Sequence, residues 1–199
     1  MANKEFNGNL RSHIIRLPEL IQNAPGISIF GRTIRSLVFT TDIAIIRNCN
    51  ADAVIAVYPF TPQPIISHAL INASDIPIIC GVGGGTTRGK RAIAMAQYAE
   101  QQGALGVVLN APTDNGTLQK IHKRVEVPVI ITVTQETTDI QARLDHGASI
   151  LNVSAAANTP ALVRKIRQHF PDLAIIATGG PSHESIQQTL EAGADAITY

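Results

Sequence analysis

The stretch QQGALGVV, residues 101–108, sets a polar segment, a glycine and an apolar run in immediate succession, and the chain repeats the phrase as DHGASILN (145–152) and EAGADAIT (191–198). Glycine reaches the left-handed backbone conformation that closes a helix, so Gly103, Gly147 and Gly193 mark three helix ends with a strand following each. The glycines stand 44 and 46 residues apart, about two helix–strand units each. The chain therefore reads as a run of similar modules with no linker.

Outward from these phrases, eight short apolar runs punctuate the sequence: SLVFTT (36–41), AVIAVYPF (53–60), PIICGV (77–82), GVVLNA (106–111), PVIITV (128–133), ILNVSA (150–155), LAIIATGG (173–180) and AITY (196–199). Each is rich in Val and Ile with little polar alternation, the pattern of strands buried on both faces in a parallel sheet. Amphipathic segments such as GKRAIAMAQYAEQQG (89–103) and NTPALVRKIRQHF (158–170, with Pro160 in the first turn) supply the helical crossovers. Eight such units predict an α/β fold, one (β/α)8 TIM barrel over residues 1–199, with residues 1–35 as an N-terminal extension packing on it. An open dinucleotide-binding sheet fits less well, because the first run leads into TTDIAIIRN rather than a glycine-rich turn. The eighth run ends at Tyr199 and leaves no residues for an eighth helix; either LRSHIIRLPELIQNA (10–24) covers that seam as an extra helix, or the natural chain continues beyond Tyr199.

Hydrophobic residues make up 45% of the 199 and charged residues 16%, a composition that points to one sizeable core. A formal charge of +1, without a basic run interleaved with aromatics, speaks against nucleic acid and anionic membrane surfaces as partners. Cys49 and Cys80 form neither a disulfide framework nor a CxxC pair, and MANKEFNGNLRSH lacks the apolar core of a leader peptide. A cytoplasmic location is the expectation, and homo-oligomerisation stays open.

Barrels of this kind carry chemistry at the C-terminal ends of their strands, which directs attention to Asp42, Tyr58, Cys80, Asn110, Thr132, Asn152, Thr178 and Thr198. From these, Asp42, Cys80 and Asn110 are taken as the candidate catalytic group. Asp42, Asp114 and Glu136 equally suit helix N-termini, and Cys80 equally suits a core. In ATGGPSHES (177–185), Gly179, Gly180, Ser182 and Thr198 form a candidate phosphate site, where free N–H groups and a helix dipole favour an anion; a capped turn is the alternative. In CGVGGGTTRGKR (80–91), Gly83, Gly84, Gly85, Thr86 and Arg88 form a possible second anion loop, or else a helix-starting turn. Gly84 to Lys90 has P-loop spacing, but Arg91 stands where Ser or Thr is required, so no nucleotide motif is secure, nor is any metal motif, and the cofactor is unknown. No histidine pairs with a nucleophile, and no lysine sits at a strand end where Schiff-base chemistry would use it.

The segment ATGGPSHESIQQTLEAGADAITY (177–199) resembles the strand seven to strand eight portion of phosphate-binding (β/α)8 barrels, a group that includes thiamine phosphate synthase, sugar-phosphate epimerases and IMP dehydrogenase. GVGGGTTRG (81–89) slightly resembles glycine-rich and TTR elements of IMP dehydrogenase and GMP reductase, without the cysteine those loops carry between them. The whole chain is similar to small bacterial barrel proteins loosely labelled hydrolases. The resemblance implies the barrel fold and phosphate binding more than a reaction. An enzyme acting on a small phosphorylated metabolite is the expectation, with lyase, isomerase or synthase chemistry because no nucleotide signature is secure; a hydrolase and a non-catalytic phosphate sensor are the alternatives.

Overall fold

The computed structural model describes residues 13–199. A short hairpin, β1 (Ile27–Ile29) and β2 (Arg32–Ile34), precedes eight parallel strands: β3 (Ser36–Phe39), β4 (Ala53–Ala56), β5 (Ile78–Gly83), β6 (Gly106–Leu109), β7 (Val129–Val133), β8 (Ile150–Val153), β9 (Ala174–Thr178) and β10 (Ala196–Thr198). Between them lie α1 (Ile43–Arg47), α2 (Pro64–Ala73), α3 (Lys90–Gln101), α4 (Asn115–His122), α5 (Ile140–Asp145), α6 (Thr159–His169) and α7 (His183–Glu191). The parallel strands close in chain order, with β10 pairing β3, so the (β/α)8 barrel read from the eight apolar runs is the observed fold.

The repeated phrases perform the task their glycines suggest. Gly103, Gly147 and Gly193 have φ of 93°, 95° and 102°, and each N–H bonds back to the final turn of its helix. The strand then starts within three residues, which holds every crossover short.

The pairing registers decide what faces inward. Each parallel pair is offset so that the stagger accumulates to a shear of eight around the circle, and inward side chains from alternate strands share a level. From the bottom, the levels are Ala53, Gly106, Ile150 and Ala196; then Leu37, Ile79, Ile130 and Ile176; then Ile55, Val108, Asn152 and Thr198; then Phe39, Gly81, Thr132 and Thr178 at the mouth. The lower levels are joined by Ile27, Ile29 and Ile34 of the hairpin in one buried cluster, so the hairpin plugs the N-terminal end of the barrel. A second cluster, between strands and helices, takes the outward residues such as Val54, Cys80, Val107, Ile131 and Ile175. Asp52 locks the plug in place, its Oδ2 accepting from the Arg35 and Ser36 N–H groups and the Ser36 hydroxyl at 2.9 Å each.

The described part of 10–24 is not the expected helix. It is extended, with Ile15 bridged to Cys49 and the Leu17 N–H donating to Asn50 Oδ1, and it then makes a single 3₁₀ turn, Glu19–Asn23, against α7. Pro18 and Pro25 bracket that turn and deny a longer helix its N–H donors. Residues 10–12 and Lys4 lie outside the described residues.

Because Ile34 is fully enclosed by the barrel floor, Ile34→Ala is expected to cost about 2–5 kcal/mol. Urea unfolding with an unshifted midpoint would show that the hairpin is not part of the core.

Candidate active site at the barrel mouth

Loops leaving β8 and β9 border a cavity of about 410 Å³, lined on one side by Ala156, Ala157, Thr159 and Pro160 and on the other by Thr178 through Ser182. The helix start is built by a capping box: Ser182 Oγ accepts from the Ser185 N–H at 3.1 Å while Ser185 Oγ accepts from the Ser182 N–H at 3.1 Å. Ser182 is thereby committed to the cap. Gly179 is committed too, since its N–H donates to Thr198 O at 3.0 Å and a Cβ there would come within 2.7 Å of Ile197 Cγ2. Gly180 differs: it holds φ 79°, and among the described residues its N–H, like those of His183 and Glu184 in the first turn of α7, has no acceptor. These are the donors that an anion at a helix N-terminus uses.

Two polar side chains in the third level of the barrel are buried without full satisfaction. Asn152, 8% exposed, donates from Nδ2 to Thr132 Oγ1 at 3.2 Å, leaving Oδ1 unpartnered. Thr198, 5% exposed, has an unpartnered Oγ1. An unsatisfied buried polar atom costs about 1–3 kcal/mol, so this pair at the C-terminal end of a barrel is a place where the fold gives up stability.

The expected catalytic trio does not converge. Asp42 is exposed and caps α1, its Oδ1 accepting from the Ala44 and Ile45 N–H groups at 2.7 and 3.2 Å. Asn110 is exposed at the rim after β6 and lines a cleft of about 30 Å³ with Val57, Tyr58, Gly81 and Thr86. Cys80 departs from the site altogether. Strand alternation turns it outward, where it is 1% exposed among the helices, and burial pushes its thiol up to about 11 despite a hydrogen bond with Ser67. A thiol held protonated in the strand–helix layer is not a nucleophile for the mouth.

The second anion loop is largely closed on itself. The Gly84 N–H donates to Thr87 O at 2.9 Å, and Arg88 folds its Nε onto Gly85 O at 2.6 Å. Gly84 is glycine for a steric reason, because at φ 91° a Cβ would lie 2.6 Å from Thr113 Oγ1 and 2.7 Å from the Asn110 backbone. Gly83, Gly85 and Thr86 remain on the rim of this turn. Asp114 and Asp139 cap α4 and α5; the Thr117 hydroxyl and N–H on Asp114 hold its carboxyl below the usual value. Glu136 pairs with Lys165 at 3.2 Å on the surface.

The residue that sequence reasoning missed is Phe39. Last in β3 and on the inward side with Leu37, it is 53% exposed over the mouth. The two-residue alternation from Leu37 was the available signal.

Thr198→Val should leave the fold intact and raise stability by about 0.5–2 kcal/mol, since it removes an unsatisfied hydroxyl while keeping the shape; a lowered melting temperature would mean the hydroxyl has a partner in solution. For Cys80 the folded pKa lies above the unfolded one, so its contribution to stability is full below about pH 9 and falls as pH rises towards 11. Relative to wild type, Cys80→Ala should flatten the stability profile between those pH values; an unchanged slope would contradict the buried, protonated thiol.

No family model matches the chain, and no curated protein does. Solved structures are similar to it. KGPDC from Streptococcus mutans is 16% identical with a TM-score of 0.64, over 82% of this chain and 86% of that one. Dihydrodipicolinate synthase from Agrobacterium tumefaciens is 14% identical with a TM-score of 0.63, over 90% and 71%. N-acetylneuraminate lyase from Mycoplasma synoviae is 12% identical with a TM-score of 0.59, over 74% of this chain but 56% of that one. At these identities the likeness is one of fold, and it places the chain among (β/α)8 barrels.

Proposed function

We propose that the chain is an enzyme holding a small phosphorylated metabolite at the C-terminal mouth of the barrel, with chemistry of the lyase, isomerase or synthase type. The observation that carries this reading is the pair of unsatisfied buried atoms, Asn152 Oδ1 and Thr198 Oγ1, at the same end of the barrel as the open N–H groups of Gly180 and α7. The phosphate sits against the N–H groups of Gly180, His183 and Glu184, with the positive end of the α7 dipole behind them and the Thr198 hydroxyl as a further donor. Gly179 and Ser182 shape this loop rather than contact the ligand. Of the expected catalytic group, Asp42 keeps Oδ2 as a proton acceptor at the rim and Asn110 is placed to orient a substrate oxygen. The synthase and lyase among the solved structures of this fold support an enzyme.

One observation favours a second reading. Among the described residues, no inward side chain of the barrel levels is titratable, which suits a barrel that binds a phosphorylated metabolite without transforming it.

A thermal-shift screen of phosphorylated metabolites tests both readings. A ligand at 100 times its Kd adds about 2.7 kcal/mol, a rise of about 5–10 °C for a domain of this size. We expect such a rise for wild type and its loss in Thr198→Val. Absence of any shift with phosphorylated compounds in the millimolar range would overturn the phosphate site. Turnover of the stabilising compound, reduced at least about tenfold in Asp42→Asn, separates the enzyme from the sensor; binding without turnover selects the sensor.

A further inference from the structure

The mouth of the barrel is divided by polarity along a plane that follows strand order. In the uppermost level, Phe39 (β3) and Gly81 (β5) stand on one side and Thr132 (β7) and Thr178 (β9) on the other. One level down, Ile55 (β4) and Val108 (β6) face Asn152 (β8) and Thr198 (β10). The same half is apolar in both levels. Phe39 is the exposed member of that half, and Gly81 beside it contributes no side chain, its place being overhung by Val57 Cγ2, which a Cβ would approach to 2.9 Å. With Val57 beside Gly81, the Phe39 ring gives this half of the mouth an apolar surface that an apolar group would cover favourably.

The polar half has a defined hydrogen-bonding sense. Thr132 Oγ1 accepts from Asn152 Nδ2, so Asn152 Oδ1 is an acceptor that requires an O–H or N–H donor from elsewhere. None of the side chains in these two levels is charged, and of the charged residues in the loops above them Arg88 is folded onto Gly85 O and Arg143 donates to Ala111 O, Thr113 O and Asn115 Oδ1. A charge carried into these levels would therefore be desolvated without a counter-charge, at heavy cost.

We infer that the substrate of this mouth is amphipathic with an uncharged body: a hydroxyl or amide N–H donates to Asn152 Oδ1, and an apolar or aromatic group lies against Phe39 and Val57. The inference rests on the phosphate reading only for where the charged handle goes.

The test uses six defined probes with the full chain, measured by calorimetry: one phosphate-free analogue, named below, and five phosphates, namely inorganic phosphate, glycerol 1-phosphate, phenyl phosphate, 3-phosphoglycerate, and 3-phenoxy-2-hydroxypropyl phosphate, which joins the hydroxyl and the aromatic group. The last should bind about tenfold or more tighter than glycerol 1-phosphate or phenyl phosphate, and 3-phosphoglycerate should be weaker than glycerol 1-phosphate. Phe39→Ala should remove the gain from the phenoxy group and leave glycerol 1-phosphate unchanged. Asn152→Leu should remove the gain from the hydroxyl and leave phenyl phosphate unchanged. Phe39 is exposed, so its variant tests the inference even where a change at Asn152 disturbs folding. Equal affinity for all phosphate esters, tighter binding of 3-phosphoglycerate, or a phenoxy gain that survives Phe39→Ala would overturn the amphipathic body while leaving the phosphate site standing. The phosphate-free analogue, 3-phenoxy-1,2-propanediol, separates the converse: binding as tight as its phosphate ester removes the phosphate site and leaves this inference. No binding by any probe at millimolar concentration counts against both.

Discussion

Closure of eight parallel strands with a shear of eight is the constraint on which everything else in this molecule depends. It forces inward side chains into levels of four drawn from alternate strands, so a residue's height and facing follow from its position along the strand. Ile55 and Asn152 share one level although nearly a hundred residues separate them in the chain. The same rule turns Cys80 outward between Ile79 and Gly81, into the layer covered by helices.

The levels are not equivalent because the two ends of the barrel are treated differently. The floor is sealed by the hairpin and by the Asp52 latch, and its branched aliphatic side chains make a dry core. That core supplies the stability which the mouth then spends on Asn152 and Thr198, two polar side chains with unmet hydrogen-bonding capacity. Local disagreement with good packing, in a protein otherwise consistent from propensity to burial, is expected at functional or strained sites. The polarity split adds direction, since strands β7 to β10 carry the polar positions and β3 to β6 the apolar ones.

Much of the fold was legible because barrel strands advertise themselves locally. Val- and Ile-rich runs, crossover helices and the glycines at 103, 147 and 193 are each decided within a dozen residues. The stretch before residue 25 departs from its expectation for the opposite reason: LRSHIIRLPELIQNA has helical spacing, but Pro18 and contacts with Cys49, Asn50 and α7 hold its described part, from residue 13 on, extended and then in a short 3₁₀ turn. At the site, strand ends could be found from sequence, whereas facing could not. Cys80 and Asn110 were grouped by proximity to strand ends, yet one lies in the strand–helix layer and the other on the rim. Ser182 reads from sequence as a phosphate contact with a helix cap as the alternative, and reciprocal hydrogen bonding with Ser185 makes it a cap.

The sequence by itself determined the barrel: the number of strands, their parallel sense, the positions where helices stop, and the face at which loops after strand ends gather. These are properties of periodicity and of backbone conformation, carried by neighbours in the chain. Only the tertiary structure decided which side chains meet inside that barrel, because register is a relation between strands and a shift of one residue exchanges inside for outside. It set Asn152 and Thr198 in one level, left Phe39 bare above them, and removed Cys80 from the mouth.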